Sequence, residues 1–405
     1  MLPKGLRQYF PDGTDHAAAT GSVAFVRHNT CVGGQDGDMQ RVVVAGLGDA
    51  GLLTAIKLAG RFEVVGISSK PGLVSGQELG VRISRPADWA RDYWIGFERY
   101  RALDRVRTVH GVLTGVDLDA RTVEVDLGDA VSTERYDALV ISTGVSNGFW
   151  RRPQRQTRSE IDAELQQAHA RFAAASTIAV IGGGAAAVSA AANLAGALRT
   201  AHVALYFPGE RALPQHHDRV WRRVQRRLQD LGVALHPGHR AVVPEGFGCD
   251  EITSEPVQFA GGQPEARADA VLWAIGRVRP NTGWLPEEVL DADGFVAVDD
   301  QLRVPGRPEV FAVGDVAATD PLRSSARNRA DGLVAHNVRA HFDGGTPRRF
   351  TPTSRRWGSV LGAQPDGLEV FTPGGRAVRF PAWSIDRVLQ PLIVRRGIYR
   401  GVRDT

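Results

Sequence analysis

The segment RVVVAGLGDAGLLTAIKLAG, residues 41–60, constrains the fold of this chain most strongly. An apolar run, Val42–Ala45, leads into Gly46, Gly48 and Gly51 at the spacing GxGxxG, and an apolar helical pattern follows. In this arrangement the first glycine permits a tight strand-to-helix turn, the second lets the backbone approach a pyrophosphate, and the third allows helix and strand to pack closely. The segment therefore predicts a dinucleotide-binding unit, with a tight turn that binds no ligand as the alternative.

The same pattern occurs a second time, in the stretch TIAVIGGGAAA. Gly182, Gly184 and Ala187 fit the accepted variant GxGxxA after an apolar strand. Each fingerprint is followed by another apolar strand, and each half closes on an apolar strand that ends in glycine, Gly144 and Gly276. Two such units predict an α/β fold with two Rossmann-like domains. Two dinucleotides held face to face suit hydride transfer between a nicotinamide and a flavin.

Composition limits the function classes. The 405 residues leave room for two or three domains, and 43% hydrophobic with 23% charged residues is typical of a globular protein. The net charge is +4 without a dense basic cluster, so we expect no nucleic-acid partner. No run of 18 apolar residues occurs, so no membrane-spanning helix is expected. Two cysteines, Cys31 and Cys249, cannot form a disulfide framework, which favours a cytoplasmic location.

Residues 1–39 differ from the rest of the chain. They are rich in Gly, Asp and His and show little periodicity. We expect a disordered leader ahead of a fold that begins near Met39. His28 and Cys31 in this leader are two candidate ligands without partners, so no metal site is predicted.

Periodicity predicts several helices outside the two fingerprints. One runs from Pro86 to Leu103 and carries five aromatic residues as one buried stripe: Trp89, Tyr93, Trp94, Phe97 and Tyr100. A second, Glu160–Ala175, links the two units, and a third, from Ala326 to His341, closes the core. His216 and His217 precede a basic helix, and we expect them to lie on the surface or cap that helix, because adjacent histidines cannot share one helical face.

Three further motifs accompany the two fingerprints. Ser142–Gly144 and Ala274–Gly276 each form a short turn after an apolar strand, and the stretch VFAVGDVA places Asp315 beside Gly314. Together these motifs resemble those of the FAD-dependent pyridine nucleotide oxidoreductase superfamily, over about residues 40–345. The resemblance implies FAD and NADH or NADPH as cofactors, with the aspartate accepting hydrogen bonds from the ribityl chain of the flavin.

The resemblance also implies an architecture. The FAD domain would be discontinuous, at residues 40–150 and 277–345, with the NAD(P)H domain inserted at residues 151–276. The last segment, residues 346–405, lies outside this core. We expect it to form a small α+β domain with a sheet and an amphipathic helix.

The motifs assign binding residues to each cofactor. We expect FAD to contact the first fingerprint and the strand ends and turns around it: Gly46, Gly48, Asp49, Ala50, Gly51, Ser68, Leu113, Thr143, Gly144, Gly314 and Asp315. We expect the nicotinamide dinucleotide to contact the second fingerprint, the loop after the next strand and the second turn: Gly182, Gly183, Gly184, Ala185, Ala187, Glu210, Arg211, Ile275 and Gly276.

Two of these assignments leave the details open. Ser68 stands where such folds usually place an acid for the ribose hydroxyls, so a serine hydroxyl or backbone groups would have to substitute. In the second unit, Glu210 could bind the ribose diol of NADH and Arg211 the 2′-phosphate of NADPH. Solvated turn charges are the alternative interpretation of both residues, and analogy alone favours NADH.

The cysteine count selects a branch of the family. Disulfide reductases carry CxxxxC after the first fingerprint, whereas this chain has no cysteine between Cys31 and Cys249. It therefore resembles the cysteine-free members, type II NADH dehydrogenases that reduce quinones and apoptosis-inducing-factor-like oxidoreductases. One departure is Ser189, which stands where these relatives commonly have glutamate in a GVE sequence. Glu78, in the loop Pro71–Gly80 after the strand that follows the first fingerprint, is the candidate proton source for the acceptor.

The C-terminal segment predicts three short strands, RRWGSVLG, GLEVFT and RAVRFP, and then a helix. Ile385, Leu389, Leu392 and Ile393 have helical spacing, several arginines follow, and Pro391 would kink the helix. An interfacial helix on the inner face of an anionic membrane is one interpretation. Packing on the C-terminal sheet or on a second copy in a homodimer is the other.

Together these features predict an FAD-dependent NAD(P)H dehydrogenase that passes electrons to a small-molecule acceptor, with a quinone favoured. Two alternatives stay open at this point: a reductase of a small iron–sulfur protein, and a non-enzymatic nucleotide-sensing or interaction flavoprotein.

Overall fold

The computed structural model describes residues 39–74, 79–276, 278–319, 330–352 and 355–404. Residues 1–38 of the predicted leader, with His28 and Cys31, lie outside these residues, as do Glu78 and the start of the closing helix. Within the described ranges, no helix is long and apolar enough to cross a membrane.

The described residues up to position 150 form ten strands and three α-helices. In chain order they are β1 (Arg41–Ala45), α1 (Asp49–Leu58), β2 (Glu63–Ser68), β3 (Gly72–Val74), α2 (Leu79–Ser84), α3 (Pro86–Asp92), β4 (Trp94–Gly96), β5 (Val106–His110), β6 (Val112–Asp117), β7 (Thr122–Asp126), β8 (Val131–Arg135), β9 (Ala138–Ile141) and β10 (Val145–Ser146). Two 3₁₀ turns, Phe97–Arg99 and Arg101–Leu103, lie between β4 and β5.

The rest of the chain supplies the second half of the fold. In chain order the elements are α4 (Arg158–Ala173), β11 (Thr177–Ile181), α5 (Ala185–Ala197), β12 (His202–Tyr206), α6 (Asp218–Asp230), β13 (Ala234–His236), β14 (Ile252–Thr253), β15 (Ala270–Trp273), β16 (Arg279–Pro280), a 3₁₀ turn (Glu287–Val289), β17 (Val310–Ala312), α7 (Ala330–Asp343), β18 (Gly367–Phe371), β19 (Ala377–Pro381), α8 (Ala382–Ser384) and a π-helical stretch (Ile385–Ile398).

The first main sheet is parallel and has the strand order β17-β9-β1-β2-β5. Its central strand β1 is almost completely buried, and the first fingerprint follows its carboxyl end. Strand β17 joins the edge of this sheet although it follows the second unit in the chain. The sheet is therefore built from two separated parts of the sequence, as the family resemblance implies.

The second main sheet repeats this plan with the order β13-β12-β11-β15-β14. Four strands are parallel and β14 pairs antiparallel with β15. The second fingerprint follows β11, which is again the central strand. The predicted α/β fold class with two Rossmann-like units is confirmed, and in both units the glycines lie at the carboxyl end of the sheet, where such folds bind ligands.

The two connections between the units run side by side, because β10 pairs antiparallel with β16. Asn281 holds this crossing together. Its backbone N–H donates to the Gly144 carbonyl at 3.0 Å and its side-chain amide donates to the Thr143 carbonyl at 3.0 Å. The Ser146 hydroxyl donates to the Asn281 side-chain oxygen at 2.7 Å. The turn after β9 is thereby attached to the segment that returns from the second unit.

A second contact between the units joins α2 to α5. A Cβ at Gly80 would lie 2.4 Å from the Ser189 carbonyl oxygen, so the helices touch at their backbones. Beside this contact, the buried Asn193 amide donates to the carbonyls of Ser189 (2.9 Å) and Leu361 (2.8 Å), and its oxygen accepts from Arg85 at 3.1 Å. Asn193, in the second unit, is therefore bonded to Arg85 of the first unit and to Leu361 of the C-terminal segment.

The predicted helix from Pro86 to Leu103 is wrong. Helix α3 ends at Asp92, and the next residues form β4, which pairs antiparallel with β3 and opposes Trp94 to Val74. This tertiary pairing overrides the helical periodicity of the aromatic residues. Trp89, Trp94 and Tyr100 are buried as predicted, but they belong to two hydrophobic clusters and not to one stripe.

The linking helix is confirmed as α4, two residues earlier than predicted at both ends. Its start is fixed by a capping box, in which the Thr157 hydroxyl accepts from the Glu160 N–H and the Glu160 carboxylate accepts from the Thr157 N–H.

The two adjacent histidines differ in environment. His217 caps α6 by accepting a hydrogen bond from the Arg219 N–H at 3.2 Å, as predicted. His216 is 7% exposed, so its predicted surface position is wrong. Burial, reinforced by the charges of Arg356 and Arg211, lowers the pKa of His216 to about 4 and keeps the ring neutral at pH 7.

The C-terminal segment forms a hairpin of β18 and β19 and then a helix. Two of the three predicted strands are confirmed. In residues 355–362 we find a single bridge, Gly358 to Phe371, because positive φ angles at Gly358 and Gly362 bend the backbone. The C-terminal helix, residues 382–398, buries Ile385 and Leu389 but leaves Leu392 52% exposed, so only part of the predicted apolar stripe faces the protein.

The contact between α2 and α5 predicts an asymmetric response to two glycine substitutions. Gly80→Ala should lower the free energy of unfolding by about 1–3 kcal/mol, because the new methyl group meets backbone atoms. Gly196→Ala, near the end of α5, places its methyl 3.8 Å from Leu231 and should raise stability by up to about 1 kcal/mol. Urea unfolding of both variants measures the difference, and equal stabilities would contradict the contact.

Candidate functional site

A cavity of about 500 Å³ opens at the carboxyl end of the first main sheet. It lies between the first fingerprint, the turn after β9, the turn after β17 and the segment that leads into α4. Ten of the eleven residues predicted to contact FAD line this cavity: Gly46, Gly48, Asp49, Ala50, Ser68, Leu113, Thr143, Gly144, Gly314 and Asp315. Tertiary structure therefore brings together motifs that are up to 269 residues apart, from Gly46 to Asp315.

The first fingerprint forms a cradle in which each glycine has a distinct role. Gly46 has a φ of +108°, and a Cβ there would lie 2.5 Å from the Ser142 carbonyl oxygen. Gly51 does not line the cavity, and its Cβ would lie 1.9 Å from the Gly46 carbonyl oxygen, so it serves packing of α1. Around Gly48, by contrast, a Cβ would meet no atom within 4 Å. The cradle is open at the position where a pyrophosphate would approach.

Helix α1 begins at this open position. Gly48 is its N-cap residue and, as a glycine, brings no capping side chain. The first N–H groups of α1 and the positive end of its dipole therefore suit a phosphate group. The Ser142 hydroxyl stabilises this turn by donating a hydrogen bond to the Gly46 carbonyl at 2.7 Å.

Charged side chains that the motifs did not indicate also line the cavity. They are Lys70, Arg82, Arg151, Arg152 and Glu164. The wall thus has four cations against three acids, Asp49, Glu164 and Asp315, and this balance suits an anionic ligand. The double arginine after the turn at Ser142–Gly144 was the one sequence signal for this set, because the other members come from segments without a motif.

Two of these cations have defined partners. Arg151 donates to the Asp315 carboxylate at 3.0 Å, which orients the acid predicted for the ribityl chain. The Lys70 ammonium donates to the Gln154 carbonyl. Burial lowers the pKa of Lys70 to about 8, although the carboxylate of Glu164 opposes the shift. A phosphate in the cavity would favour the charged form of this lysine.

The second fingerprint has the same geometry as the first. Gly182 has a φ of +139°, and its Cβ would lie 2.1 Å from the Ala274 carbonyl oxygen. Gly184 is the N-cap residue of α5 and, as a glycine, brings no capping side chain, and a Cβ there would meet no atom within 4 Å. Ala187 packs beneath the turn, 3.3 Å from the Cβ position of Gly182. Ile275 and Gly276 follow β15 beside this turn.

The loop after β12 closes over the second fingerprint. The Leu213 N–H donates to the Gly183 carbonyl at 2.7 Å. The Arg211 guanidinium donates to the Leu213 carbonyl at 3.2 Å and pairs with Asp218 at 3.2 Å, so it holds the loop. Glu210 is exposed. These contacts assign neither charge to a ribose, and the choice between NADH and NADPH stays a prediction.

Ser189, which stands where relatives commonly have glutamate, lies in a packed contact without room for a longer side chain. Ser189 is 3% exposed and lies in the contact between α5 and α2, beneath Gly80. A longer side chain would displace α2 there.

Among the described residues, no group of three or more His, Cys, Asp or Glu side chains could hold a metal ion.

Comparisons with known proteins agree with this arrangement. The chain is 27% identical over 354 residues to oxidoreductase ptaL of Pestalotiopsis fici, covering 80% of this chain and 89% of that protein. It is 26% identical over 295 residues to the type II NADH:quinone oxidoreductase NdhA of Mycobacterium tuberculosis, covering 62% of this chain but 61% of NdhA.

Solved structures share the fold at lower identity. The sulfide:quinone oxidoreductase of Aquifex aeolicus superposes with a TM-score of 0.63 at 18% identity, covering 84% of this chain and 86% of that chain. Residues 40–343 match the family described as pyridine nucleotide-disulphide oxidoreductase. This match contains both fingerprints, both crossing strands and Asp315, and the chain therefore belongs to the pyridine nucleotide-disulphide oxidoreductase family.

Proposed function

We propose that this protein is an FAD-dependent NAD(P)H dehydrogenase that delivers electrons to a quinone. The observation that carries the proposal is the pair of matching cradles, at Gly46–Gly48 and Gly182–Gly184, each open at the carboxyl end of a central strand. One chain thus has the means to hold two dinucleotides. The cavity at the first cradle suits FAD in its residues, its cations and its open glycine position.

The residues of this chain would bind and orient the cofactors. Bound FAD supplies a ring that accepts a hydride from a nicotinamide and releases electrons one or two at a time. The N-terminus of α1 would hold the pyrophosphate of FAD, and Asp315, oriented by Arg151, would accept hydrogen bonds from ribityl hydroxyls. The N-terminus of α5 would hold the pyrophosphate of the nicotinamide dinucleotide.

Two observations favour a quinone as acceptor. The chain contains only Cys31 and Cys249, and Cys249 is 4% exposed, so a pair of redox-active cysteines has no support. Electrons would then leave the flavin directly. Two relatives with 26% and 25% identity are named type II NADH:quinone oxidoreductases, NdhA and Ndh of Mycobacterium tuberculosis.

Anaerobic addition of NADH or NADPH to the purified protein tests the first half of this proposal. We expect one equivalent of a nicotinamide dinucleotide to bleach the visible flavin band, because hydride transfer consumes the oxidised ring. A water-soluble short-chain quinone should then restore the band. Both steps are followed by absorbance in a sealed cuvette.

The other outcomes separate the alternatives. Bleaching without reoxidation by quinones, together with salt-dependent reoxidation by an acidic iron–sulfur protein, would replace the quinone with a protein acceptor. Flavin that neither nucleotide bleaches would favour a nucleotide-sensing protein. A purified protein without flavin would refute the proposal.

Substitution of the two open glycines should weaken the binding of two different cofactors. Gly48→Ala should fold normally, because its methyl meets no protein atom, yet lower the FAD content at least tenfold by filling the first cradle. Gly184→Ala should keep its FAD but weaken nicotinamide binding at least tenfold. Flavin content after gel filtration and calorimetric titration with NADH measure the two effects. The assignment fails if either variant loses both cofactors or neither.

We also propose that the C-terminal helix, residues 382–398, rests on an anionic membrane surface. Trp383 and Leu392 are 62% and 52% exposed, and Val388 is 38% exposed. The exposed Arg387 and Arg396 lie on the same helix. Exposed apolar side chains flanked by arginines match the chemistry of an anionic interface, where a quinone would also dissolve.

Vesicle flotation tests this contact. The wild type should float with anionic vesicles and much less with zwitterionic ones, and Trp383→Ser combined with Leu392→Ser should reduce the bound fraction at least tenfold. Val131→Ser is the matched control, because Val131 is 68% exposed on β8 and should not affect binding. Absence of flotation would refute the contact, and self-association lost in the double variant would identify a second copy as the occupant.

A further inference from the structure

Arg82 is a buried cation in the wall of the cavity. Arg82 as a whole residue is 9% exposed. The side chain of Arg152, in the same wall, is 41% exposed. Burial lowers the pKa of Arg82 to about 10, although Glu164 opposes the shift, so the guanidinium is still charged at pH 7. In the described part of the chain, no carboxylate forms an ion pair with it.

Two neutral groups hold this side chain in place. A guanidinium nitrogen donates to the Trp150 carbonyl at 2.8 Å, and the guanidinium carbon lies 4.8 Å from the centre of the Trp89 ring. Trp89 is completely buried. These contacts fix the position of the charge without neutralising it. A desolvated cation held in this way is stabilised when an anion enters the cavity that it lines.

Arg82 is connected to the acid predicted for the ribityl chain. Its acceptor Trp150 directly precedes Arg151, and Arg151 pairs with Asp315 at 3.0 Å. The helix that carries Arg82 also touches the second unit, because a Cβ at Gly80 would lie 2.4 Å from the Ser189 carbonyl oxygen. The phosphates of FAD would take Gly48 and the N-terminus of α1, which leaves the charge of Arg82 for the part of FAD that faces the second unit.

Hydride transfer creates such a charge. A hydride carries two electrons and one proton, so transfer from NAD(P)H to a neutral flavin leaves one negative charge on the reduced ring until a solvent proton neutralises it. We propose that Arg82 stabilises this negative charge directly and thereby raises the reduction potential of the flavin. The inference rests on the proposed function, because it requires bound FAD.

Equilibrium potentiometry of the flavin-loaded protein tests the role of Arg82. Arg82→Gln should lower the affinity for reduced relative to oxidised flavin about 10- to 100-fold, which corresponds to a fall of about 30–60 mV in a two-electron potential. Arg82→Lys should recover most of the difference because it keeps the charge. Arg82→Met, a second neutral variant of similar volume, gives the same test if the glutamine variant does not fold.

Arg152→Gln is the matched control. Arg152 lines the same cavity, but it is more exposed and has partners in Glu164 (3.9 Å) and the Asp250 carbonyl (3.3 Å). We expect this variant to change the affinity for reduced relative to oxidised flavin less than threefold. An equal effect of both substitutions would mean that Arg82 has no special position.

The remaining outcomes distinguish Arg82 from its alternatives. If the neutral variants bind FAD more weakly but keep the wild-type potential, Arg82 serves the phosphates and the proposal is overturned. If they keep both FAD and the potential, Arg82 is structural and the proposal is overturned as well. A wild-type protein without flavin would refute the proposed function itself, whereas an unchanged potential in flavin-loaded variants refutes only the role of Arg82.

Discussion

The structure depends on the close approach of two backbone turns, Gly46 after β1 and Ser142 after β9. A side chain at Gly46 would collide with the Ser142 carbonyl, and the Ser142 hydroxyl donates back to the Gly46 carbonyl. This contact sets the start of α1 over the carboxyl end of the sheet and leaves Gly48 open. The cavity follows from it, because a wider turn would move the helix N-terminus away from the strands.

The two units depend on two unlike contacts for their relative position. At the crossing of β10 and β16, Asn281 bonds to the turn after β9 and so links the first cavity wall to the returning chain. Between α2 and α5, Gly80 touches Ser189 and the buried Asn193 bonds to three segments. Polar groups buried in this way are costly to separate, which favours one fixed arrangement of the units.

The cavity offers two kinds of positive potential. Helix α1 begins at the open Gly48 and offers N–H groups, and four cationic side chains line the wall. Arg151 pairs with Asp315, whereas Arg82 forms no ion pair with a carboxylate of the described residues. Phosphates bound at the helix N-terminus would not distinguish the redox states of a flavin, whereas a fixed charge beside the flavin ring would.

The family resemblance indicated the predicted residues of the cavity wall that lie outside the fingerprint, such as Thr143 and Asp315. The sequence alone determined the two strand–turn–helix units, because their local geometry depends on glycines whose spacing is visible in the sequence. It could not place α3 and β4, since the pairing of Trp94 with Val74 involves a distant strand that outweighs helical periodicity. It also missed the burial of His216 and the cations Lys70 and Arg82. Only tertiary structure decided these, because burial and charge partners arise from segments that are far apart in the chain, and no local pattern records which ones will meet.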